Sequence, residues 1–75
     1  MTLEPFLTDY VNSDQALYIA GLPGHHPVVV GDVRDAENGY YFTDHKDALL
    51  YFGEDIVFNV GGYLENALRI IVKEG

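Results

Sequence analysis

His25 and His26, set between Pro23-Gly24 and Pro27, are the side chains here that most readily suggest chemistry. Imidazole is a good ligand for zinc or copper. Adjacent side chains in a turn diverge, however, and neither Asp44 nor His45 stands at a spacing that supplies a recognisable third ligand. The pair is expected to be a solvated turn, with no metal. Asp32, Asp35 and Glu37 ahead of Gly39 are a distant match to a calcium loop. The aspartates do not alternate as an EF-hand requires, and no bidentate glutamate follows at the twelfth position. An acidic hairpin tip is the plainer reading.

Nucleophilic catalysis has little material. Cysteine is absent, Ser13 is the only serine, and no Gly-x-Ser-x-Gly elbow surrounds it. The carboxylates of Glu54 and Asp55 would need burial in a cleft to do acid–base work. Neighbouring acids at a helix–strand junction are expected to be solvated. Neither Gly61-Gly62 nor Gly21-Leu22-Pro23-Gly24 has the Gly-Lys-Ser/Thr of a phosphate loop. The expectation is a non-enzymatic chain without a cofactor.

What remains is recognition. Twelve acids oppose four bases, for a net charge of −8 and a pI near 4.4. That balance disfavours direct contact with nucleic acid, which takes a basic footprint to displace phosphate counterions. It disfavours anionic membranes for the same reason. A basic protein or nucleoprotein complex is the complementary partner. Seven of the acids fall mid-chain (Asp32, Asp35, Glu37, Asp44, Asp47, Glu54 and Asp55), offset locally by Arg34 and Lys46. Strand alternation forbids Tyr40, Tyr41 and Phe42 from all pointing inward, so Tyr41 is expected on an outer face, as is Tyr18. Acids gathered beside such rings would form an anionic patch spaced like the phosphates of a nucleic-acid backbone. The candidate partner-binding set is therefore Asp32, Asp35, Glu37, Tyr41, Asp44, Asp47, Glu54 and Asp55.

In size, acidity and absence of motifs the chain resembles the small inhibitors that phages and mobile elements turn on host defences, anti-CRISPR proteins among them. The resemblance is one of composition and carries no site residue. It implies an inhibitor or modulator of a nucleic-acid-handling partner. Two other readings stay open: an immunity or antitoxin protein, and a structural or assembly module or homodimer, joined at an exposed sheet edge, whose acids serve solubility alone.

Seventy-five residues make a small domain, which buries only about 60% of its unfolded surface on folding. A hydrophobic content of 48% and ten aromatic residues argue for a packed core rather than disorder. The opening residues lack a basic segment and an apolar run, and no stretch approaches the roughly 20 apolar residues of a membrane span. With no cysteine, the expectation is a soluble, cytoplasmic protein.

The elements follow from pattern. Thr2 can serve as N-cap for a helix with Leu3, Phe6, Leu7, Tyr10 and Val11 on one side, ending near Asn12-Ser13. Gln15 to Leu22 reads as a strand, Pro23 to Pro27 as a turn, and Val28 to about Arg34 as a second strand. Glu37-Asn38-Gly39 signals a tight hairpin into a third strand, Tyr40 to Phe42, completing an antiparallel meander. Thr43 or Asp44 caps a second helix, with Ala48, Leu49 and Phe52 inward and Gly53 as a left-handed C-cap. Ile56 to Val60 is a strand. Tyr63, Leu64, Ala67, Leu68 and Ile71 would line one face of a helix, and Leu68, Ile70 and Val72 would equally line one face of a strand. The β-branched run Ile70-Ile71-Val72 favours the strand, and so a second hairpin looped around Gly61 to Asn66. The fold class is thus α+β: one domain, an antiparallel sheet of four to five strands, and one or two short helices.

Overall fold

Helix α1 (Leu3–Tyr10) forms because Leu3 and Leu7, one turn apart, share a buried face, with Phe6 half-buried beside them. The computed structural model describes residues 1–21, 34–36 and 39–75. Thr2 holds the N-cap position with extended backbone, but its hydroxyl makes no capping hydrogen bond. The main chain answers one of the helix's orphan donors instead: Leu3 N–H donates to the Asp55 carbonyl at 3.1 Å. Beside it, Val57 N–H donates to the Met1 carbonyl at 2.8 Å, and Thr2 bridges Ile56 in antiparallel sense. The helix stops at Tyr10, short of the expected end at Asn12-Ser13, because Val11 is already extended.

Five strands follow: β1 (Leu17–Gly21), β2 (Arg34–Ala36), β3 (Gly39–Phe42), β4 (Ile56–Leu64) and β5 (Ala67–Lys73). Helix α2 (His45–Phe52) separates β3 from β4. The chain is mixed α+β, as expected, but its sheet departs from the expected one twice. The spatial order is β2-β3-β1-β5-β4, so β3 lies between β1 and β2, which a meander would not allow. The β1–β5 pair is parallel, from Leu17 opposite Leu68 to Gly21 opposite Val72, so the sheet is mixed rather than antiparallel. The cause lies in β1, whose residues Leu17, Tyr18, Ile19 and Ala20 are all buried. A strand buried on both faces belongs in mid-sheet. Alternation says which residues point inward, but not which strand lies beside which.

The second hairpin is present, and its turn takes only the last two residues of the expected Gly61 to Asn66 loop. β4 runs straight through Gly61-Gly62, and the chain reverses at Glu65-Asn66, with Glu65 at φ 56°. Register shifts between Val57 and Asn59 and between Val60 and Tyr63 mark bulges, and Gly62 takes φ 67° at the second. The glycine pair thus serves a bulge rather than the turn. Gly53 also departs from expectation, with right-handed φ −59° and ψ −30° rather than a left-handed cap. Glycine suits the site because a Cβ would run into the Leu49 carbonyl oxygen. The expected turn at Pro23 to Pro27 and most of the expected strand from Val28 lie outside the described residues. So do Glu37 and Asn38, although β2 and β3 are antiparallel neighbours with Ala36 opposite Gly39.

Both helices pack on one face of the sheet. Leu3, Leu7, Ala48 and Phe52 bury against Leu17, Ile19, Phe42, Ile70 and Val72. The rings of Phe42 and Phe52 meet edge to face, centroids 5.8 Å apart at 82°. The opposite face carries a smaller cluster of Tyr18, Ala20 and Ala67, flanked by Ala16, Tyr41 and Ile71. No helix among the described residues is long and apolar enough to cross a membrane.

Candidate functional site

Helix α2 begins at Asp44 because its carboxylate accepts a hydrogen bond from Lys46 N–H at 2.9 Å, a side-chain N-cap. Asp47, in the first turn, is exposed and sits where the helix dipole favours negative charge. Glu54 is exposed just past the far end of the helix, whose eight residues span about 12 Å at 1.5 Å per residue. Asp55 differs from the expected solvated acid: it is only 9% exposed. Its N–H bonds the Phe52 carbonyl at 3.0 Å and its own carbonyl takes Leu3 N–H, so it is folded into the junction of α1, α2 and β4.

The tyrosine lies elsewhere. Tyr41 is half-buried and packs with the cluster on the sheet face away from the helices. The sheet therefore stands between Tyr41 and Asp47, and the two do not share one flank. Asp35 lies on β2, outermost among the described strands, opposite Tyr40. Asp32 and Glu37 lie outside the described residues. Of the eight candidates, the helical layer holds Asp44 and Asp47 together, with Glu54 at its end.

Two acids that mid-chain clustering overlooked join that layer. Glu4 and Asp9 on α1 are exposed, and α1 touches α2. Across α1, the Asp44 cap and α2, four carboxylates face a single base, Lys46. The signal was present in the sequence, since both acids interleave the Leu3-Leu7 stripe of an amphipathic helix. Two of the remaining bases, Arg69 and Lys73, are exposed on β5, one turn of the pleat apart from Ile71 on either side and so on one face. Charge is thus divided, with acids over the helices and these two bases on the sheet.

Register adds a row across the sheet. Arg34 stands opposite Tyr41, Tyr41 opposite Tyr18, and Tyr18 opposite Arg69. The chain's two arginines therefore end a row with two tyrosines between them. Lys73 Nζ lies 5.9 Å from the centroid of the Phe58 ring on β4. Among the described residues no three of His, Asp and Glu gather closely enough to hold a metal ion. None of their buried side-chain nitrogens or oxygens lacks a hydrogen-bond partner. Compared with known protein families, with curated proteins and with solved structures, the chain matches none.

Proposed function

We propose that this chain is a small acidic interaction domain, not an enzyme, that works in the cytoplasm by binding a basic protein or nucleoprotein complex. Its partner handles nucleic acid, and the domain inhibits or modulates it by presenting carboxylates where phosphates would otherwise sit. One observation supports the reading above others. Glu4, Asp9, Asp44 and Asp47 are exposed on one helical layer in which Lys46 is the sole lysine or arginine. Such a predominantly negative surface steers a positive partner and raises the association rate more than the final affinity. The compositional resemblance to phage anti-defence inhibitors, anti-CRISPR proteins among them, agrees with this direction.

The test is capture of partners by the tagged chain from host lysate at low and high salt, repeated with Glu4→Gln, Asp9→Asn and Asp47→Asn combined. A basic nucleic-acid-handling protein, lost at high salt and lost in the triple variant, supports the reading. Retention that ignores both salt and the substitutions defeats it.

A further inference from the structure

The two edges of the sheet are built differently. Among the described residues one edge is β2, Arg34–Ala36, which carries Arg34 and Asp35. β4 is nine residues long, and from Ile56 to Leu64 it has no charged residue in a chain that is 21% charged. Short length and charge are the usual means of keeping a sheet edge from pairing with another chain. β2 carries charge, and β4 is neither charged nor short. Among the described residues, Met1 to Leu3 cover the start of β4, through Val57 N–H to the Met1 carbonyl and Leu3 N–H to the Asp55 carbonyl. Beyond that, Phe58, Val60, Tyr63 and Leu64 are exposed, Phe58 by 57% and Tyr63 by 66%. Gly61 and Gly62 have nothing within 4 Å of where a Cβ would stand, so bare backbone faces open space there. Glycines of this kind permit another main chain to come close.

We propose that the occupant of this edge is the β4 edge of a second copy, the two strands running antiparallel about a two-fold axis near Gly61-Gly62. Charge selects this occupant. Residues 56–73 hold one acid, Glu65, and two bases, Arg69 and Lys73, for a net +1; the remainder of the chain carries −9, since the total is −8. Two copies that each carry strong negative charge can meet only where it is absent, and this hairpin is that place. Antiparallel pairing also turns the Glu65 end of each hairpin toward the Phe58 and Lys73 end of the other, opposite charges at both ends of the contact. Val60 and Tyr63, paired with Ile70 and Leu68, lie on one face and would meet their counterparts there. The bulges add twist to β4 and are its only intrinsic obstacle to pairing. The contact is isologous, so it closes at two copies and, among the described residues, leaves the charged β2 strands outermost. This inference does not depend on the acidic helical layer.

Sedimentation equilibrium of the whole chain over a wide concentration range tests it, together with amide hydrogen exchange at each end of that range. The expected result is a mass rising from 8.4 kDa to twice that value, with exchange slowing over residues 58–64 as it does so. Phe58→Glu with Tyr63→Glu, both at exposed sites, should hold the mass at one chain with an unchanged far-ultraviolet spectrum. A one-chain mass throughout, open-ended assembly, or a dimer whose protection lies outside β4 would overturn the proposal. The exchange measurement on the unaltered chain stands even if the double variant fails to fold.

Discussion

The ring of Tyr18 occupies the space a side chain on Gly39 would need: a Cβ there would lie 2.6 Å from Cε1 and Cζ of the tyrosine. Gly39 pairs with Ala20 and Tyr18 with Tyr41, so the ring leans along β1 to cover the start of β3. Tyr18 is 4% exposed and has little room to retreat. Gly39→Ala should therefore destabilise the fold by about 1–3 kcal/mol, the usual cost of overpacking. Urea denaturation measures it, and the penalty should shrink in a Tyr18→Ala background. A Gly39→Ala variant as stable as the original chain would show that the ring moves freely.

His45 fastens the start of α2 to the entry of β1. Its Nε2 lies 2.7 Å from the Gln15 carbonyl, and because a carbonyl only accepts, that nitrogen must donate. The Gln15 side chain continues the tie, donating from Nε2 to the Asn66 carbonyl at 2.6 Å in the β4–β5 turn. His45→Ala should cost about 1 kcal/mol, the net value of one such bond. Gln15→Ala removes a different bond, because His45 contacts the main chain of that residue. Denaturation of both single variants and the double variant should give nearly additive losses.

These contacts show where sequence and structure part company. The cap at Asp44, the inward Ala48 and Phe52, and the alternation that sends Tyr41 and Phe42 to opposite faces are consequences of local chemistry, and each is legible from neighbouring residues. The parallel partnership of β1 with β5 is not, since Leu17 and Leu68 come together only through packing across the whole chain. The same holds for Asp55: its neighbours Gly53 and Glu54 suggest a solvated junction, whereas the carbonyl it offers to Leu3, 52 positions earlier, draws it inside. Gly61-Gly62 misled for a third reason, because glycine permits a bulge as readily as a turn. Nor could alternation say which face the helices would cover, and that choice separates Tyr41 from the helical acids.

Asp44 has two roles that a pair of substitutions separates. As N-cap it holds Lys46 N–H, so Asp44→Ala should lower stability by about 1 kcal/mol. Asn caps as well as Asp, so Asp44→Asn should leave stability within a few tenths of a kcal/mol while removing a charge. Thermal melts of the two variants check the first statement. Partner capture with the Asn variant then reads charge alone, and a melt as low as that of the Ala variant would show that the carboxylate's charge, not its geometry, sustains the helix.

The helical layer makes the sharpest prediction for binding. Glu4, Asp9, Asp44 and Asp47 are exposed, so salt screens them within a Debye length of about 10 Å at 0.1 M. Association with a basic partner should slow about tenfold or more as ionic strength rises across the physiological range, while dissociation changes little. Neutralising Glu4, Asp9 and Asp47 should flatten that salt dependence. Neutralising Arg69 and Lys73, exposed on β5, should leave the rate unchanged or raise it, because these bases repel the same partner. Stopped-flow or surface-based rates with the captured partner decide between the faces. If the β5 variants slow association and the helical variants do not, the partner docks on the sheet and the acidic layer plays no part in recognition.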